Sequence, residues 1–295
     1  MVTDNKVMAA LKMGDKFLPA EIRDKVNEAL ISMKGYVPNV GILGKTGAGK
    51  SSLCNALFGT DVCEISDVEA CTRQPQKVLL ANKNKYGIAL NDMPGVGESL
   101  ERDREYEALY EKTIPEFDVI LWALKADDRA YSVDLEFYEK IVKPHVERGK
   151  EIIFVLTQAD KIEPFREWNT ADGRPGDAQL NNINAKIKGI SELFHVPRAK
   201  VRAISAPERY GLVELVETVL LAAPKRAALS IGRAIGRNDE LLLSDKSKDT
   251  IKKDVLTEVL RAAGTGAWIG ENLLPGIGAV IGAFLGAIFA WAAAD

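Results

Sequence analysis

The chain has 295 residues, longer than one domain of about 100–200 residues, and 46% are hydrophobic, ample for a core with an added module. Its net charge of −3 argues against nucleic acid as the main partner. Three cysteines (Cys54, Cys63, Cys71) without C-x-x-C spacing and two histidines (His145, His195) give neither a disulfide framework nor a zinc site, and suggest a reducing cytosol.

The polar start, Met1 to Lys6, lacks the apolar run of a secretory signal. Residues 20–34 predict an amphipathic helix, with Ile22, Val26, Leu30 and Met33 at helical spacing. From 37 to 222, apolar strand-like runs alternate with helical ones, as in a mainly parallel sheet. Strands are expected at 37–43, 76–81, 86–91, 118–124, 151–157 and 200–205. Helices are expected at 50–58, 101–113, 132–145, 178–194 and 211–222. The stretch from Glu163 to Gln179, with Pro164, Gly173, Pro175 and Gly176, reads as a long loop.

Between the first strand and the first helix of this region lies Gly44-Lys45-Thr46-Gly47-Ala48-Gly49-Lys50-Ser51, a complete G-x-x-x-x-G-K-[ST] phosphate-binding loop. Its glycines let successive amides face phosphate oxygens, and the helix start at Ser51 and Ser52 adds a favourable dipole. Lys50 would place a point charge on the β- and γ-phosphates, and the Ser51 hydroxyl would bind Mg²⁺. Further on, Asp92-Met93-Pro94-Gly95 follows an apolar strand. Asp92 would reach Mg²⁺ through water, and the Gly95 amide would bond the γ-phosphate. Thr72, within Glu69 to Arg73, is a candidate for Mg²⁺ and γ-phosphate; an ordinary strand-edge threonine is its alternative.

The base is read at the end of the fifth strand, in Thr157-Gln158-Ala159-Asp160. A carboxylate at Asp160 can accept from guanine N1–H and N2–H₂, a donor pair that adenine lacks. Ser205-Ala206, after the last strand, would offer a backbone N–H to guanine O6. The nucleotide implied is GTP with Mg²⁺.

In this order the motifs GKTGAGKS, a switch threonine, DMPG, TQAD and SA resemble the Era-like branch of the Ras-superfamily GTPases. GKTGAGKSSLCNALF and WALKADDRAYSVD (122–134) are most similar to bacterial, often prophage-encoded, members, which in turn are similar to the immunity-related GTPases of animals. The resemblance covers about residues 37–222 and implies an α/β fold: a P-loop G domain with a mainly parallel six-stranded sheet. It also implies GTP hydrolysis, with Lys50, Thr72 and Gly95 at the reacting phosphate. Two positions depart from the family. Gln158 stands where a lysine stem lies along the base. Val96 replaces the water-orienting glutamine, so slow basal turnover accelerated by self-association or a partner is expected. Asp127, Asp128 and Arg129 are polar candidates near the site, with a solvated loop as the alternative. Gly47 stands where potassium-activated relatives carry asparagine, so activation by K⁺ is not expected.

The G domain is thus expected at 37–222, with helical parts at 1–36 and 223–266 forming an appendage from both termini. Residues 225–265 hold nine Lys or Arg against six Asp or Glu, a net +3. Residues 272–294 hold no charge. There Gly278, Gly282 and Gly286 recur every fourth residue, a glycine-zipper pattern in a helix or hairpin spanning 267–295. A 19-residue helix would reach about 28 Å. Three readings stay open: a membrane-associated helix at the cytoplasmic face, a buried helix of a soluble bundle, or an oligomer zipper. Self-association through the G domain is a further expectation. A ribosome- or RNA-assembly GTPase and a nucleotide-binding scaffold without turnover are the alternatives.

Overall fold

The structure is a computed structural model that describes Ala9 and residues 20–59, 76–81, 87–94, 100–264 and 280–286. It divides into two compact units: Asn39–Leu80 with Ala89–Ala223, and Met1–Pro38 with Ala81–Ile88 and Pro224–Asp295.

The first unit is built on a six-stranded sheet in the order β2-β3-β1-β4-β5-β6. Its strands are β1 (Asn39–Gly44), β2 (Gln76–Ala81), β3 (Gly87–Asp92), β4 (Val119–Lys125), β5 (Ile152–Thr157) and β6 (Val201–Ala203). The ladders joining β3, β1, β4, β5 and β6 are all parallel. Parallel strands are covered on both faces, and β5 is buried at every residue, as its unbroken apolar run Ile152 to Leu156 requires. Around the sheet lie α2 (Lys50–Phe58), α3 (Leu100–Thr113), α4 (Ser132–Phe137), α5 (Lys143–Glu147), α6 (Asp177–Leu193) and α7 (Leu212–Ala222). Trp122, Tyr138, Phe154 and Phe194 form a chain of ring contacts with centroids 4.5–6.2 Å apart. Offset and edge-to-face pairs of this kind add to their area burial. Gly41 is needed because a Cβ there would run into the Phe117 ring.

Sequence periodicity suggested one helix at 132–145. The segment instead holds α4, a π-helical turn at Tyr138–Val142, and α5. Pro144 has no N–H to offer the Lys140 carbonyl, so an ordinary i→i+4 ladder cannot continue there. The expected loop 163–179 is shorter and more ordered. It holds a 3₁₀ turn at Phe165–Glu167 and a bridge between Asn169 and Arg174, and α6 starts at Asp177.

The second unit contains α1 (Ala20–Gly35), α8 (Ala228–Asn238), α9 (Asp245–Ala262) and a helical segment at 280–286. α1 buries Val26, Leu30 and Met33, and packs on α9, which buries Ile251, Val255 and Val259. The Arg226 guanidinium lies 4.4 Å from the Tyr36 ring centroid, and Ser230 Oγ donates to the Tyr36 carbonyl at 2.6 Å. Ser244 caps α9, accepting from the Ser247 amide at 3.1 Å. In the 280–286 segment Val280, Ile281, Phe284 and Leu285 are buried, whereas Gly282 and Gly286 are exposed. Among the described residues, no helix is long and apolar enough to cross a membrane. The expectation of a membrane-associated glycine-zipper helix therefore gains no span here, and most of 267–295 lies outside the described residues.

Candidate functional site

β1 ends at Gly44, whose φ of 136° and missing Cβ leave room for the Ala123 carbonyl on β4. The chain then turns tightly, with the Ala48 amide donating to the Lys45 carbonyl at 3.2 Å. Gly49, at φ 80°, starts α2 without a side-chain cap. A glycine at this position brings no side-chain oxygen to compete with an anion at the helix start. Lys50 is only 8% exposed, and its Nζ donates to the Gly44 and Lys45 carbonyls at 3.1 Å each. Its ammonium is thus folded back over the turn made by Thr46, Gly47 and Ala48. Ser51 and Ser52 follow in the first turn of α2, half-buried.

The neighbouring strand β3 runs beside β1, with Asp92 in register with Ile42. The Met93 amide donates to the Ile42 carbonyl at 3.1 Å, and Tyr110 Oη donates to the Pro94 carbonyl at 2.7 Å. These bonds fix the backbone leaving β3. Thr72, Gly95 and Val96 lie outside the described residues, so their predicted places remain expectations.

On the other side, β5 ends at the buried Thr157, whose Oγ1 donates to the Ala48 carbonyl at 2.7 Å, with the Leu124 carbonyl 3.3 Å away. The phosphate turn and the base loop are therefore joined directly. Gln158 takes a left-handed conformation (φ 59°, ψ 39°), and its Oε1 accepts from Lys161 Nζ at 2.8 Å. A lysine three residues later thus reaches the amide that replaced the family's lysine. Asp160 sits in the 3₁₀ turn that follows. Its Oδ1 is buried and meets no hydrogen-bond donor among the described residues. Buried acceptors left open cost free energy, and such an atom at a ligand face is a signal of what fills it.

Ser205, fully buried, pairs its amide and carbonyl with Tyr210 at 3.1 Å in both directions, and Ala206 begins the loop they close. Gly211 follows at φ 70°, where a Cβ would strike the Ala203 carbonyl.

Two residues that sequence reasoning passed over matter here. Gln179 is fully buried, and its Nε2 donates to the carbonyls of Asp160 at 3.0 Å and Ile162 at 2.8 Å, which pins the base loop. In the sequence it fell inside an expected loop. Asp134 is 1% exposed, and Lys45 Nζ stands 3.0 Å from its Oδ2. Sequence alone assigned it no role: it closes the 122–134 stretch that carries the family resemblance, but an acidic residue in a first helical turn usually faces water. The loop residues Asp127 and Asp128 pair with lysines: Lys125 Nζ is 3.3 Å from Asp127 and Lys45 Nζ is 3.9 Å from Asp128. Among the described residues no group of three or more His, Cys, Asp or Glu gathers as a metal site.

These features fit a guanine triphosphate. The capless helix start and the buried Lys50 suit phosphates, and the open acceptor on Asp160 suits the guanine N1–H and N2–H₂ pair. The family described as "50S ribosome-binding GTPase" matches residues 39–158. The uncharacterized protein YkfA of Escherichia coli K12 is 43% identical over 71% of this chain and 70% of its own length. The uncharacterized protein YfjP of the same organism is 39% identical over 76% of this chain and 75% of its own length. The GTPase Era of Aquifex aeolicus is 31% identical over 65% of this chain and 57% of its own length. The chain belongs to the family of YkfA and YfjP and is an Era-like P-loop GTPase.

Proposed function

We propose that this GTPase is a switch or assembly protein, with GTP hydrolysis coupled to self-association or to a membrane surface. GTP with Mg²⁺ is the nucleotide and metal of its family. In this reading Lys50 and the amides from Gly44 to Ser51 hold the β- and γ-phosphates, with Lys45 and Thr46 in the same turn. Ser51 and Thr72 bind Mg²⁺, Asp92 reaches it through water, and the Gly95 amide senses the γ-phosphate. Thr157 braces the base loop, Gln158 and Asp160 take guanine, and the Ser205–Ala206 backbone takes its O6. Binding by charge and amide dipoles is what phosphoryl transfer asks of a protein, since positioning and electrostatics carry most of the catalysis.

The observation that carries the reading is the buried Asp160 Oδ1 without a donor, on a loop bonded to the phosphate turn through Thr157. The coupling to association is supported by Val96, which cannot orient water as a glutamine would. It is supported as well by Gly282 and Gly286, where an added Cβ would meet nothing within 4 Å among the described residues. Specific activity measured over a wide range of protein concentration tests it. Turnover per molecule should rise with concentration or with added anionic vesicles. A high rate that stays flat under both treatments would reject the coupling.

A further inference from the structure

Asp134 is almost fully buried, yet neither the phosphate contacts nor the base contacts call on it. Burying a carboxylate is costly unless a counter-charge and hydrogen bonds offset it. Its counter-charge is Lys45, the second residue of the phosphate loop, at 3.0 Å. The offset is incomplete. Neither carboxylate oxygen has a hydrogen bond of good geometry, although the buried Trp122 indole N–H faces the carboxylate and, with Lys45, acts to lower its pKa. Burial pushes the Asp134 carboxyl above its ordinary range, and Lys45 pulls it back down. The ammonium of Lys45 is itself held on a second side, donating to the Ala130 carbonyl at 3.2 Å. A cavity of about 210 Å³ lies at this junction, walled by Lys45 to Ala48 on one side and by Lys125, Asp128 and Asp134 on the other. The phosphate turn and the chain after β4 therefore share one ion pair, its carboxylate buried and its lysine partly exposed.

We infer that Asp134 is a positioning residue for the nucleotide: it holds Lys45, and through it the Lys45–Ala48 turn, in the curvature that the phosphates require. The inference rests on the GTP-binding reading of that turn. A carboxylate kept buried at a net cost fits a role in fixing a geometry better than one in adding stability. Lys45 and Asp134 then act as one unit, so the effects of removing them overlap.

A double-mutant cycle on the full chain, read by steady-state GTP hydrolysis and by titration with a fluorescent guanine nucleotide, tests this. Asp134→Asn and Lys45→Gln should each raise KM and Kd roughly 10-fold with little change in kcat, and the double variant should be no worse than either. Lys45→Arg, which keeps a cation, should restore most of the affinity. Where Asp134→Asn alone does not fold, Lys45→Gln is compared with Lys45→Gln/Asp134→Asn, and equal KM values are expected. Losses that multiply in the double variant, or a folded Asp134→Asn with native KM, overturn the inference. A wild-type chain without affinity for guanine nucleotide would instead remove the GTP reading beneath it.

Discussion

Thr157 Oγ1 donates to the Ala48 carbonyl across 2.7 Å, which ties the end of β5 to the Gly44–Ser51 turn. The bond is buried and spans 109 residues of chain. Replacing Thr157 by valine keeps the shape and leaves the Ala48 carbonyl unbonded inside the protein. Such a loss costs about 1–3 kcal/mol. Thermal unfolding should show that destabilisation, and GTP affinity should fall about 10-fold in the same variant. A stable variant with native affinity would mean that the two loops are positioned independently.

In the proposed reading, Asp160 sets the base preference by accepting two hydrogen bonds. Asparagine at this position offers an N–H where the carboxylate offered an oxygen, which suits the carbonyl of xanthine and not the amino group of guanine. Asp160→Asn should lose at least about 100-fold in GTP affinity and gain affinity for xanthosine triphosphate. Competition binding with both nucleotides checks this, and an unchanged preference would move base recognition elsewhere.

Much of this was legible in the sequence, for physical reasons. β4 and β5 are buried on both faces, so Val119 to Leu124 and Ile152 to Leu156 stand out as unbroken apolar runs. The phosphate loop is legible because its glycines are forced by backbone shape: Gly47 and Gly49 sit at φ 78° and 80°. Asp134 and Gln179 were not legible, since their importance comes from depth of burial and from partners far away in the chain, which no local pattern encodes. The wide turn at Tyr138–Val142 was hidden because apolar spacing barely changes when a helix loosens by one residue per turn.

Two glycines should respond in opposite directions to alanine. Gly189 lies inside α6, where a Cβ would meet nothing within 4 Å among the described residues, so Gly189→Ala should stabilise by about 0.5–1 kcal/mol through helix propensity. Gly211 has φ 70° and faces the Ala203 backbone carbonyl, so Gly211→Ala should cost more than about 2 kcal/mol. Chemical denaturation of both variants gives the comparison. Equal effects would contradict the backbone assignment around the Ser205–Tyr210 loop.

In the helical unit, Asp254 is 9% exposed. Burial raises its carboxyl pKa above the ordinary 3.8, while Lys225 and Lys253 act to lower it. A folded-state value above the unfolded one means that the folded chain holds the extra proton between the two. Stability therefore falls as pH rises through that window, and the ionised carboxylate is a net cost at neutral pH. Asp254→Asn should raise Tm at pH 7 by roughly 1–3 °C, and the gain should vanish well below pH 3.8. Loss of stability at pH 7 would show that the lysines outweigh burial.

The central claim is that a buried lysine at a helix start and an open carboxylate at the next loop together hold a guanine triphosphate. Calorimetric titration of the purified chain with GTP and with ATP, both in Mg²⁺, tests it most directly, with Lys50→Ala run alongside. GTP should bind at least about 100-fold more tightly than ATP, and Lys50→Ala should abolish that binding. Equal affinity for the two nucleotides, or GTP binding that survives the loss of Lys50, would contradict it.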